Sequence, residues 1–386
     1  MAARQTRPDA GFTLNELMIG MGIMMIILGG VFTAMTNAMS AERTARGITT
    51  LNGHLRSSMD LVVRDMLQVG QGLPVGRVVG VPNGPGASPI IRPGPPSDGT
   101  CDGVDTFPAE PTLQAVTVGP DLGPAINGQC TDVITTLAHD GAFENVNISS
   151  MTASGQSITI YPYGPDGVNG TADDVDISDV PDARGDNLRV GDLLEISKGA
   201  ASTLVFVTAV SGQTVTFAPG DPLDLNQFDT GLAMLGTTNQ VRAQAPVDPA
   251  APVVTAGLIQ RGPSVASRVR MITYYVDTDT NPESPRLVRQ INANPPNAVA
   301  FEIDAFRITY DIADGTVNPA GVRMDATDLG TGGACAPFAC SANQIRKANV
   351  TIAARSEHRT REAGYTQNVL FTQVALRSLA FVDRYN

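Results

Sequence analysis

From Leu17 to Ala41 the chain carries no charged residue, and a single carboxylate, Glu16, stands at the mouth of that run. A helix over such a segment is long enough to cross the hydrocarbon core of a bilayer, about 30 Å thick. A carboxylate entering the bilayer costs several kcal/mol unless a positive charge compensates it, so an ionisable residue there asks for a partner. If the chain were cut after Gly11, the new α-amino group of Phe12 would lie about one helical turn from Glu16 and be cationic near neutral pH. That arrangement suits an ion pair between neighbouring chains.

Helical spacing continues beyond the apolar run. Ile48, Leu51, Leu55, Met59, Val62, Met66 and Val69 recur at steps of three and four, while Arg43, Arg46, Arg56, Asp60, Arg64 and Asp65 fill the other faces. Gly70, Gly72 and Pro74 then supply a stop. One helix from Phe12 to Val69 would be on the order of 85 Å long, its first half suited to lipid or a filament core and its second to packing on a globular head. Gly20, Gly22, Gly29 and Gly30, with Met18, Met21, Met24 and Met25, would let other helices approach closely; a lipid-facing anchor is the alternative. A cleaved secretory signal, with Arg4 and Arg7 as its basic region and Ala38-Met39-Ser40 as its cleavage site, is a further alternative. The apolar run is about twice the usual length of such a signal's core. Arg4 and Arg7 on one flank face Arg43 and Arg46 on the other, so charge alone does not orient the segment.

Composition narrows the function classes. A net charge of −12 and a pI near 4.7 argue against a phosphate-backbone partner, so no nucleic acid is expected. The three histidines, His54, His139 and His358, are scattered, and no hydrolase elbow, P-loop, zinc-protease or dinucleotide signature occurs. The chain therefore reads as a non-enzyme. Four cysteines, Cys101, Cys130, Cys335 and Cys340, suit an oxidising compartment and permit three pairings. Local closure favours Cys335 with Cys340 around Ala-Pro-Phe-Ala, which leaves Cys101 with Cys130. A zinc site lacks both a Cys-x-x-Cys pair and a nearby histidine.

With 39 glycines and 27 prolines, much of the remainder is turns. Residues 71–131, dense in Gly and Pro, read as an extended connection. Residues 132–250 read as a β-rich insertion with strands at Ser157–Tyr161, Leu193–Ser197, Leu204–Val210 and Thr214–Phe217, the last two joined as a hairpin by Ser211-Gly212-Gln213. Residues 251–386 read as an antiparallel sheet with strands at Arg268–Val276, Arg286–Ile291, Phe301–Ile312, Ala348–Arg355 and Thr366–Ser378. The loop bearing Asp166, Asn169, Asp173, Asp174 and Asp176 gathers oxygen ligands of the kind Ca²⁺ takes, although its spacing is not that of an EF-hand. A solvated acidic turn is the alternative. Asp277-Thr278-Asp279-Thr280-Asn281-Pro282-Glu283 alternates similarly, but its place between two strands points to hairpin chemistry.

Gly11-Phe12-Thr13-Leu14-Asn15-Glu16-Leu17-Met18-Ile19 resembles the processing site of type IV prepilins and type II secretion pseudopilins, the class III signal. Asn15 stands where that family usually carries an apolar residue, and Thr33 where many major pilins have proline. The C-terminal segments Tyr274-Tyr275-Val276, Phe306-Arg307-Ile308-Thr309-Tyr310 and Val350-Thr351-Ile352 resemble the larger minor pilins of the PilW-like group and the J-type minor pseudopilins. The resemblance implies an α+β, type IV pilin-like fold: a leader at 1–11, a hydrophobic helix half at 12–41 and an amphipathic half at 42–70 packed on an antiparallel head. It implies that a prepilin peptidase cuts after Gly11 and N-methylates Phe12, and that Glu16 pairs with the N-terminal amine of an adjacent subunit. Implied partners are that peptidase, other minor and major pilins, the inner-membrane assembly platform, a tip adhesin and the membrane itself. The precursor would sit in the inner membrane with its head in the periplasm and move to the pilus tip. A J-like subunit of a type II secretion machine, or an anchored or secreted binding protein, are the alternatives.

Overall fold

The structure, a computed structural model, describes residues 13–73, 78–82, 87–95, 101, 106–108, 110, 112–143, 145–152, 155–160, 187–198, 201–227, 253–255, 258–260, 264–279, 281–356 and 365–381. It opens with α1, Leu14–Gln68, which runs 55 residues without proline. Several hydroxyls along it bond back to the previous turn, as Thr33 Oγ1 does to the Gly29 carbonyl at 2.9 Å, which satisfies them within the helix. Past Gln68, Gly70 and Gly72 adopt φ of 71° and 73°. Gly70 N–H donates to the Leu137 carbonyl at 2.8 Å and His139 N–H to the Gln71 carbonyl at 2.9 Å. A Cβ on Gly72 would lie 2.7 Å from His139, so both the left-handed backbone and the close approach demand glycine there.

The chain divides into two compact units, and the boundary on α1 falls after Gly53. Within the head unit, Leu55, Met59, Val62, Met66 and Val69 are buried, as their spacing predicts, whereas Ile48, before the boundary, stays exposed. Residues 71–131 do more than connect. They form β1 (Val78–Gly80), β2 (Thr112–Gln114), β3 (Val116–Thr117), β4 (Gly123–Ile126) and β5 (Gln129–Thr131), and they bury Val79, Val81, Ile90, Phe107 and Leu113. The buried Arg92 staples this stretch down: its guanidinium donates to Thr135 Oγ1 and to the carbonyls of Thr117, Val118 and Val133 at 2.8–3.2 Å. Burial among neutral oxygens pulls its pKa down to about 10.

Strands β6 (Ile134–His139), β7 (Val146–Met151), β8 (Ser157–Ile160), β9 (Leu193–Lys198), β10 (Ala201–Phe206), β11 (Ala209–Ser211) and β12 (Thr214–Thr216) follow. The expected strand Leu204–Val210 is thus divided between β10 and β11. β11 and β12 close as a hairpin with Ser211 opposite Thr214 and Gly212 at φ 56°. After the isolated pair β13 (Val253–Thr255) and β14 (Leu258–Gln260) come β15 (Ser264–Asp277), β16 (Arg286–Ile291) and β17 (Asn297–Phe301). β15 is long enough to pair β6, β7, β9 and β16, all antiparallel. Strands from 132–250 and from 251–386 therefore share one 11-stranded sheet rather than forming separate ones. Phe143, Ile158, Ile160, Leu194, Val205 and Phe217 fill its core, each large side chain contributing about 1.5–3 kcal/mol on burial.

A second sheet takes β18 (Ile303–Ile312), β19 (Ile345–Arg355) and β20 (Gln367–Ala375) in that order. The expected strand Phe301–Ile312 breaks at Glu302, whose φ of 57° turns the chain out of one sheet into the other. Phe306, Ile308, Tyr310, Val350 and Ile352 are buried on one face of this sheet. The architecture is α+β and pilin-like: one long, apolar N-terminal helix and antiparallel sheets.

Candidate functional site

The site begins where α1 begins. Glu16 Oε2 accepts from the Thr13 N–H at 3.0 Å and the Thr13 hydroxyl at 2.9 Å, and Thr13 Oγ1 accepts from the Glu16 N–H at 3.3 Å. This is a reciprocal capping box, Thr-x-x-Glu, which satisfies backbone donors at the start of a helix. The Thr13-x-x-Glu16 spacing is itself a sequence signal for this cap. Within a single chain the carboxylate thus has a local role, and its charge is exposed. Gly11 and Phe12 lie outside the described residues.

Beyond Glu16 the apolar side chains point outward all round. Met25 is 72%, Ile26 77% and Phe32 71% exposed. A Cβ on Gly20, Gly22, Gly29 or Gly30 would meet nothing within 4 Å, so nothing in a lone chain requires glycine there. The helix is long and apolar enough to cross a membrane.

Beside its buried apolar stripe, the second half of α1 is held in the head unit by an ionic cluster. Asp65 Oδ2 accepts from the Tyr274 hydroxyl and from Arg289 Nε, both at 2.5 Å. Burial, then the adjacent Asp65 carboxylate, push the Tyr274 phenol far above its ordinary pKa, so it remains a donor. Asp65 is buried and its charge is met by Arg289, which is what a carboxylate on a packed helix face needs.

Disulfides join Cys101 to Cys130 and Cys335 to Cys340. The acidic loop with Asp166, Asn169, Asp173, Asp174 and Asp176 lies outside the described residues. At the other acidic turn, Asp277 Oδ2 is held by Arg286 Nη2 at 2.6 Å and Nε at 2.8 Å, while Asp277 Oδ1 accepts from the Asp279 N–H. These are bonds that shape a hairpin. A cavity of about 210 Å³ is lined by Asp140, Asp192, Arg268, Arg270 and Asn292 among others. Its charges answer one another: Arg268 Nη2 lies 2.7 Å and Arg270 Nη2 2.5 Å from Asp140 Oδ2. Arg268 also stacks over the Phe143 ring. His139 Nε2 bonds Glu195 Oε2 at 2.7 Å, and His54 sits on α1.

Residues 6–32 match the family model described as the prokaryotic N-terminal methylation motif. No curated protein and no solved structure matches the chain. The motif, which extends into the exposed apolar helix, supports a type IV pilin or pseudopilin precursor that carries a class III signal and is processed by prepilin peptidase. The same pairing fits anchoring in the inner membrane and a structural rather than an enzymatic role.

Proposed function

We propose that the chain is a minor pilin that enters the priming or tip complex of a type IV pilus. The observation that carries the reading is the junction of a methylation motif with a helix whose first half is apolar and exposed and whose second half is packed by a large head. Exposed Met, Ile and Phe side chains with interspersed glycines gain contacts when helices bundle, in lipid or in a filament core. After cleavage at Gly11, Glu16 would exchange its bonds to Thr13 for the cationic N-terminus of an adjacent subunit, Phe12 being the first mature residue. A head of this size would crowd a shaft at every position, so a tip place is the economical one. There it would present its surface for adhesion or hold another tip protein. The expected calcium at Asp166–Asp176 belongs to this proposal; chelation that lowers the melting temperature would support it and unchanged melting would remove it. A J-like pseudopilin of a type II secretion machine uses the same motif and the same assembly logic.

Mass spectrometry of the N-terminus tests the reading, comparing membranes with material sheared from the cell surface. Methylated Phe12 in sheared filaments is the expected result. Methylated Phe12 confined to membranes would favour the pseudopilin, and an uncut Met1 or a start near Ala41 would overturn both.

A further inference from the structure

Strand β20 ends the three-stranded sheet, and among the described residues only β19 pairs with it. Thr366 and Leu376 bond toward β19 through the Thr366 carbonyl and the Leu376 N–H, and the register between the two strands is unbroken. Strict alternation then turns the N–H and C=O groups of Gln367, Val369, Phe371 and Gln373 to the open edge. Among the described residues the Val369 N–H accordingly meets the neighbouring Asn368 Oδ1, at 2.9 Å. The side chains of Val369 and Phe371 are 58% and 62% exposed on one face.

Natural edge strands are blunted by charges, proline, bulges or shortness. β20, Gln367–Ala375, is nine residues long with no charge, no proline, no glycine and no bulge. The other long edge is protected: β18 is covered by the segment that bonds Tyr310 to Val322 and Ile312 to Pro319. An open, neutral, half-apolar edge of this length calls for a cover.

The strand also specifies its cover. Read from either end, Gln367-Asn368-Val369-Leu370-Phe371-Thr372-Gln373 is a chemical near-palindrome about Leu370. Set antiparallel to itself, it places Gln367 opposite Gln373, Asn368 opposite Thr372, Val369 opposite Phe371 and Leu370 opposite Leu370. The backbone parity agrees, because the open-edge residues Gln367, Val369, Phe371 and Gln373 all fall opposite one another and exchange their hydrogen bonds. Phe–Val is a favourable cross-strand pair, and with no charge on either strand no like charges meet. The end glutamines are anchored amides, Gln367 on Asp304 and Gln373 on Asp311 and Asn349. We infer that β20 is a self-pairing edge: two copies of this chain join as a two-fold dimer, β20 to β20, centred on Leu370. Such an interface is isologous and closes on itself.

Cysteine cross-linking of the full chain in detergent tests this, since all four native cysteines are in disulfides. Leu370 would face its own copy as a non-hydrogen-bonded pair, with Cα atoms about 4.5 Å apart, within disulfide reach. Leu370→Cys should form a disulfide-linked dimer on mild oxidation, and Asn368→Cys, about 13 Å from its own copy, should not. Asn368→Cys mixed with Thr372→Cys should link one chain of each, a readout that spares Leu370. Adding Phe371→Lys should abolish both links. A monomeric Leu370→Cys together with no mixed link, equal linking by Asn368→Cys alone, or linking of Leu370→Cys to a different protein would each overturn the inference.

Discussion

The two halves of α1 obey opposite rules. From Leu14 to Met39 the apolar side chains lie in the open on every side, whereas from Leu55 to Val69 one stripe is buried and Asp65 is locked to Tyr274 and Arg289. The second half derives its stability from its own head. The first half gains most of what it can from lipid or other chains, since hydrophobic burial there awaits a partner. One helix thus joins a self-sufficient element to an unsatisfied one, and local order alone does not separate them.

Substitutions can pull the halves apart. Glu16→Ala should abolish incorporation into sheared filaments while leaving the head's melting temperature unchanged; loss of both together would show that the halves are not independent. Asp65→Ala should leave Arg289 and Tyr274 facing an empty acceptor and cost about 3–5 kcal/mol in chemical denaturation. Leu55→Ala should cost about 2–5 kcal/mol by cavity formation, whereas Ile26→Ala, with nothing packed on it, should not move the same transition. Equal costs at Leu55 and Ile26 would erase the contrast. Thr13→Ala, which removes half of the capping box, should lose about 1 kcal/mol, visible as faster amide exchange in the first turn of α1.

What could be read in advance followed the range of the signals. The apolar run, the three-and-four spacing to Val69, the glycine stop and the Ser211-Gly212-Gln213 hairpin are local and were legible. The strands β1 to β5 are too short, at two to four residues, for alternation to declare itself among glycines and prolines. The grip on Asp65 joins residues 209 and 224 positions apart, for which one sequence holds no local cue. Sharing of β15 between two stretches was equally hidden, because the expected strand, Arg268–Val276, stops short of Ser264–Ala266, where β7 pairs. At the N-terminus, the charge of Glu16 points to an amine on a neighbouring chain, whereas within one chain the same carboxylate caps α1 through Thr13, three residues before it.

The central place of β15 also sets an order of events. Its partners lie both upstream, at 134–139, 146–151 and 193–198, and downstream, at 286–291. Upstream strands made first have no central neighbour until Asp277 has been synthesised, and loops of tens to more than a hundred residues must then close at once. Contacts of such long range make for slow folding and a vulnerable interval. The nascent head waits, with its upstream strand pairs undocked from one another, for the one segment that joins them.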